Sequence, residues 1–457
     1  MAVTRLTGSV LDGWSGRAGR AGHIWSRWRR PGAAFWIVGY AFAVTMAFST
    51  IPAPLYVLYQ ARDHFGALVV TVIFAAYAAG VVASLFLAGH LSDWVGRRRM
   101  ALIAVAVSML AGVAFLAWPT VPGLIIGRVI AGVSVGMLTA TATAYLSELH
   151  AAARPGRPPG RAEITATAAN LGGLGLGALL AGLLAEFATA PLVLPYLVGE
   201  GLMAAGALAL IVAPETMTPP RPRPRYHPQR VSVPAAHRSL FYAAGFAAAA
   251  EFALFGLFTS LAPGFLASAL HERSHALAGL ATFVVFGAAA AAQAALGRLT
   301  VRRLVGLGLS ALAAGLVLVT AAVWLPSLPL LLIGGALAGA GAGAAFKASI
   351  STVISIAPRQ ARGEALAGLF LAAYVGLTVP VLGLGIATQL VSAQVSVLGF
   401  AAVLLAVVAV VARRLHAGRS GSSGRSGGSG SSGGNPGAEP GVQTGRPSAY
   451  MTIRRSP

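Results

Sequence analysis

Apolar residues run along this chain in twelve long blocks separated by short polar breaks. The first six cover about residues 33–52, 67–88, 100–118, 123–147, 163–185 and 191–212. The second six cover about 240–262, 276–296, 304–324, 328–354, 364–386 and 392–412. Each approaches the roughly 20 residues a helix needs to cross a bilayer. The pattern predicts an all-α membrane protein of twelve transmembrane helices in two pseudo-symmetric six-helix halves. Gly/Pro breaks near residues 52 and 380 blur two ends, but a bundle tolerates them because neighbouring helices and water satisfy the freed backbone groups.

The polar stretches set the boundaries. Residues 1–32 form a basic amino-terminal tail, with Trp25 and Trp28 placed for the headgroup layer. The apolar run that follows exceeds the 7–15 residues of a signal-peptide core, so it reads as an uncleaved first helix. Residues 33–213 make the first half and 240–413 the second. Between them, 214–239 contains P-E-T-M-T-P-P-R-P-R-P-R-Y-H-P, an extended, solvated linker. Residues 414–457 are expected to be a disordered Gly/Ser-rich tail.

Composition agrees. The 457 residues are 56% hydrophobic and 10% charged, with a mean hydropathy of +0.76. A soluble chain would be about 25% charged, so the solvent for most of this one is lipid. The net charge of +21 is scattered between apolar runs and does not form the basic stripe of a nucleic-acid binder. There is no cysteine, which excludes disulfides, thiol nucleophiles and thiolate metal sites. No G-x-x-x-x-G-K-[ST] phosphate loop is present, so the chain is not itself an ATP-driven pump, and no cofactor is called for.

Charge placement gives orientation. Of 33 basic residues, all are arginine except Lys347. Alternate loops and both tails hold all but four of them. The opposite loops hold Arg62 and Arg273, and Arg128 and Lys347 fall inside spans. The positive-inside rule then puts both termini in the cytoplasm, and the clean alternation supports a count of twelve.

The halves repeat one another. Gly89-x-Leu91-Ser92 recurs as Gly297-x-Leu299-Thr300, and Ala131-Gly132-x-x-x-Gly136 recurs as Ala338-Gly339-x-x-x-Gly343. Ala168-Ala169-x-x-Gly172 is matched by Ala372-Ala373-x-x-Gly376. Repeated halves with a site at their interface are a feature of secondary transporters.

The loop after the second block, Gly89-x-Leu91-x-Asp93-x-x-Gly96-Arg97-Arg98, resembles the loop 2–3 signature of the major facilitator superfamily. The resemblance extends over about residues 33–413. It implies a latch from Gly89, Asp93, Gly96, Arg97 and Arg98 to the cytoplasmic end of the eleventh helix, near Glu364, with Glu148 as a charge partner. The second-half copy, G-R-L-T-V-R-R, lacks the acid and the second glycine. Arg128-Val-Ile-Ala131-Gly132 resembles the fourth-helix R-x-x-Q-G of proton-coupled members, with alanine replacing glutamine. Gly173-x-x-x-Gly177-Ala178-x-x-Ala181-Gly182 resembles the fifth-helix antiporter pattern, with alanine at its proline position; the same glycines also suit close helix packing.

Ionisable groups at membrane depth cost about 2.5–3.5 kcal/mol at a helix centre, and they face a cavity or a partner. Arg128, Glu251 and Lys347 fall on the fourth, seventh and tenth spans, which line the central cavity in the family. Burial disfavours the charged form of a carboxyl, making Glu251 the candidate proton or cation site; a structural ion pair with Lys347 is the alternative. Arg128 is a candidate for proton coupling or an anionic substrate group, or else bonds backbone carbonyls. Lys347 is a candidate substrate contact. Tyr40, Phe42, Tyr77, Asn170, Phe255 and Tyr374 are candidate cavity liners.

The function expected is secondary active transport by alternating access: proton-coupled efflux of a small amphipathic compound, in the multidrug manner. Uptake of a sugar or carboxylate is the alternative. A polytopic membrane enzyme would need reactive groups gathered in a loop, and only Asp63-His64 and His271-Glu272-Arg273-Ser274-His275 offer any. The resemblance implies a monomer in the bacterial cytoplasmic membrane, with a small-molecule substrate, protons and lipid as partners and no nucleic acid.

Overall fold

The computed structural model describes residues 30–88, 92–217, 237–269, 274–358 and 361–423, excepting side chains at 88, 92, 93, 268, 269 and 415–423. Among these residues, twelve helices are long and apolar enough to cross a membrane. They are α1 Pro31–Asp63, α2 Ala67–Leu87, α3 Arg97–Ala117, α4 Val121–Ala153, α5 Gly160–Phe187 and α6 Leu194–Val212, then α7 Arg238–Ser260, α8 His275–Ala295, α9 Val301–Trp324, α10 Leu328–Ile356, α11 Arg362–Leu390 and α12 Ala393–Arg414. No strand occurs among the described residues. Leu208, Ile211, Ile333 and Val379 are exposed on the helices, a placement that lipid stabilises and water would not.

The first helix outruns its predicted end near residue 52. Pro52 and Pro54 lack the N–H groups that Phe48 and Thr50 would otherwise accept from, and the chain turns at Ile51, whose N–H bonds the Phe48 carbonyl at 3.2 Å. Proline suits the first turn of a helix, where its missing donor is not needed. The chain therefore restarts as Pro52–Asp63 and ends at His64, left-handed at φ 54°. Likewise the helix containing α12 continues to Ser423, into the stretch expected to be a disordered tail. Among the described residues, those up to Leu415 form one compact unit.

The repeat between the fourth and tenth spans is a packing repeat, whereas in the repeat between the fifth and eleventh Gly172 has open space around it and only Gly376 is packed. On α4, Gly132 and Gly136 admit the α2 backbone at Tyr77 and Val81; on α10, Gly339 and Gly343 admit the α8 backbone at Val285 and Ala289. On α5, Gly173 and Gly177 lie against Ala43 and Ala47 of α1, and Gly376 of α11 lies against Ala249 of α7. Small residues let helix backbones approach where lipid supplies no hydrophobic drive for association. The cores differ in texture. Tyr56, Tyr59, Tyr145, Tyr196, Phe48 and Phe115 fill the first half, whereas alanines fill much of the second.

The most extensive packing between the halves is α5 on α8 and α2 on α11. Gly182 of α5 and Gly279 of α8 interlock, Gly279 resting on the Ala178 carbonyl. Gly385 of α11 faces Thr71 of α2.

Candidate functional site

The basic loop folds back on its own half. Gly96, at φ 102° and ψ 150°, precedes α3, a conformation essentially restricted to glycine. The Glu215 carboxylate sits over the open helix end and accepts from the N–H groups of Arg97 at 2.7 Å and Arg98 at 3.2 Å. A negative group satisfying free N–H donors complements the positive end of the helix dipole. Arg97 is buried, its Nε 3.0 Å from Glu148 Oε1 on α4, and Thr216 donates to the other Glu148 oxygen at 2.5 Å. Tyr145 donates to the Pro214 carbonyl, and Arg98 Nη1 donates to the carbonyls of Ile211 and Ala213. Glu148 is thus a partner of the loop, and Glu215, which the motif does not contain, is a second. These bonds tie α3, α4 and the end of α6 together within one half. Gly89 and the side chain of Asp93 lie outside the described residues, as does any contact they make with α11.

A cleft of about 1050 Å³ opens between the halves at this same end. Trp36 of α1, the α4–α5 connection, the start of α5, the end of α8 and Lys347 of α10 line it. Arg154, Arg157, Arg161, Arg298 and Lys347 face it with one carboxyl, Glu163. The Arg161 guanidinium lies 5.3 Å from the centre of the Trp36 ring, and His150 Nε2 is 3.2 Å from the Pro158 carbonyl oxygen. At the inner edge, Lys347 Nζ donates to the Gln293 carbonyl at 3.3 Å. A side chain at Gly297 would come within 2.8 Å of that ammonium. Thr167 of α5 reaches Gln293 Oε1 of α8 at 3.5 Å, so the halves touch beside Lys347.

The opposite end is shut. Glu186, at the end of α5, accepts from the first N–H groups of α8, His275 at 2.7 Å and Ala276 at 3.4 Å. Arg62 there is paired with Asp63 at 2.6 Å and also donates to the Pro119 carbonyl. No group of three or more histidine or acidic residues suited to a metal occurs among the described residues; residues 271–273 lie outside them.

The buried charges are separated from one another. Arg128 is 3% exposed and donates to the Ser49 carbonyl at 2.6 Å, beside the proline turn where α1 loses donors. Its guanidinium lies 4.4 Å from the Tyr77 ring centre and 5.4 Å from that of Phe74. Glu251 is 0% exposed, and neither carboxyl oxygen has a hydrogen-bond partner among the described residues. One turn on, Phe255 stacks on Phe286 of α8 at 4.6 Å, and two turns on Phe258 meets Gly335 of α10. This face of α7 points into the second half. Glu251 does not line the cleft, and the alternative ion pair with Lys347 is not formed.

Among the described residues nominated from the sequence, Lys347 lines the cleft and the others do not. Tyr40 is 39% exposed and donates to the Leu202 carbonyl of α6, at an outer seam of the first half. Phe42 and Phe255 are core. Asn170 is half-buried in a π-helical turn, Ala168–Gly172, within α5. Tyr77 lies beside the Arg128 guanidinium, and Tyr374 packs edge-on to Phe252 at 5.4 Å. Glu215, Trp36, the cleft arginines and Glu186 belong to no local motif that would single them out in the sequence.

Comparison with known proteins places this geometry. A family model described as Major Facilitator Superfamily matches residues 35–270, more than half the chain. The crystal structure of the human organic anion transporter MFSD10 (TETRAN) aligns with a TM-score of 0.63 at 16% identity, covering 83% of this chain and 99% of that one. No curated protein matches the chain in sequence.

Proposed function

The chain belongs to the Major Facilitator Superfamily, a family of transporters and not of enzymes, and from that premise we propose that it exports a small amphipathic compound by proton-coupled alternating access. The observation that carries this reading is the one-ended cleft between the halves, open at the arginine-rich end and closed by Glu186 at the other. The arginine-rich end faces the cytoplasm in this proposal, following the positive-inside rule, so the conformation is the loading state of an exporter. The membrane is the bacterial cytoplasmic membrane, and the protein works as a monomer.

Glu251 is the proposed proton site. A carboxyl buried without a partner at membrane depth changes its surroundings whenever it gains or loses a proton, because only the ionised form demands water or a counter-charge. Rocking of the halves supplies that change. Lys347 is the proposed substrate contact, and Arg128 holds the turn in α1 that the rocking has to accommodate.

Purified protein in liposomes tests this with an imposed pH gradient. Glu251→Gln is expected to abolish gradient-driven accumulation while leaving substrate exchange at equal pH intact. Gradient-driven accumulation at the wild-type rate in that variant removes Glu251 from the mechanism.

A further inference from the structure

We infer that the cleft selects anionic amphiphiles: compounds with a flat apolar body and a sulfonate, carboxylate or phosphate group. The inference rests on the cleft being the transport site and adds the charge of its cargo.

Five cations face one carboxyl across this cleft, contributed by both halves. Low-dielectric walls lined with one sign of charge focus the field and concentrate counter-ions. Loop arginines alone would be explained by membrane topology, but Lys347 is not in a loop. It lies within α10, half-buried, and it is the sole lysine in a chain whose other basic residues are all arginine. A lysine ammonium is a compact charge on a flexible stem, whereas a guanidinium is a broad planar fork. The ammonium occupies space that a side chain at position 297 would need, so the glycine there is what lets it lie where it does. One of its donors goes to the Gln293 carbonyl, and an ammonium carries three. A carbonyl is a partial charge and leaves most of the ammonium's charge unbalanced, so a ligand anion at the cleft floor completes the site.

The apolar half of the ligand also has a place. Trp36 lines the cleft and is 55% exposed, with Arg161 over its ring, and Ile164 of the first half and Ala294 of the second also line it. The proposed ligand rests its aromatic body on Trp36 and turns its acidic end to Lys347 and Arg298, which line the same cleft. Trp36 and Arg161 belong to the first half and Lys347 and Arg298 to the second, so such a ligand bridges the two parts that must move.

Equilibrium binding to the full chain in phosphatidylcholine nanodiscs provides the test, with three probes sharing one ring system. These are 1-naphthalenesulfonate, 1-naphthalenemethanol and 1-naphthylmethylammonium. The sulfonate is expected to bind at least tenfold more tightly than the other two. Lys347→Met should remove that preference, Lys347→Arg should restore it in part, and Arg298→Gln should weaken it severalfold. Equal binding of the three probes by the wild type, or binding led by the cation, overturns the inference without any variant. Adding phosphatidylglycerol distinguishes the two sources of an anion. Competition by the lipid assigns the cleft to a lipid headgroup, and retained sulfonate binding assigns it to a free compound; both keep the site selective for anions. Flux in liposomes is read separately, so anion binding without flux sinks the transport reading alone, while gradient-driven movement of a cation sinks this inference alone.

Discussion

At the scale of single residues, the basic loop shows how one glycine can be fixed by two independent constraints. Gly96 has a backbone conformation that costs other residues about 1–3 kcal/mol, and a Cβ there would lie 2.6 Å from a Glu215 carboxylate oxygen. Gly96→Ala therefore both strains the turn and displaces the acid that caps α3. A lower thermal unfolding midpoint in detergent is expected. In a Glu215→Ala background the steric part disappears, so the additional loss from Gly96→Ala should shrink to that of the strained turn. An alanine variant as stable as the wild type would mean that the turn is not held as described. The motif itself was readable because it is local: glycine, arginines and their spacing are adjacent in the chain. Glu215 was not readable, since it arrives from more than a hundred residues away and its role depends on where α6 ends.

At the scale of helices, existence was legible and facing was not. Twelve apolar blocks became twelve helices because length and hydropathy alone decide whether a segment crosses lipid. Which side of a helix faces its neighbours is a different matter. A helix in water buries an apolar stripe and exposes a polar one, but a helix in a bilayer is apolar on both sides. Tyr40 and Tyr77 therefore look alike in the sequence, yet one lies against α6 and the other against Arg128. Small residues give a better signal than aromatic ones. The glycines shared by α4 and α10, Gly132 and Gly136 with Gly339 and Gly343, lie where backbones meet, whereas Gly172 has open space around it although its counterpart Gly376 meets α7.

The α5–α8 pair carries a contact with a consequence for conformation. Glu186 binds two N–H groups at the start of α8 across the junction of the halves. A charge at an exposed helix terminus contributes about 0.3–1 kcal/mol, equivalent to a two- to fivefold change in population. Glu186→Ala should shift the balance toward opening at that end by this factor. The chain has no cysteine, so a single Thr71→Cys reporter, buried between α2 and α11, is free of background. Its labelling by a water-soluble maleimide should rise two- to fivefold in the Glu186→Ala variant, and unchanged labelling would show that Glu186 does not hold the end closed.

For the whole molecule, the decisive question is whether the α2–α11 interface separates during turnover. The matched packing of α2 on α4 and α8 on α10 makes each half a body built on the same plan, and bodies of that kind move by changing contacts between them more readily than within them. The interface is closed where Gly385 meets Thr71, with a Cβ at Gly385 placed 3.1 Å from Thr71 Cβ. Disulfide-linked Cβ atoms lie about 3.5–4.5 Å apart, so a small adjustment admits a bond between cysteines at these two positions. In the double variant Thr71→Cys/Gly385→Cys, oxidation should link α2 to α11 and stop flux, and reduction should restore it. Binding of the naphthalenesulfonate probe should survive oxidation, because the cleft opens at the other end and stays accessible. Full flux through the oxidised, demonstrably linked protein would show that this interface never opens, and rocking of the two halves would have to give way to a movement within one of them.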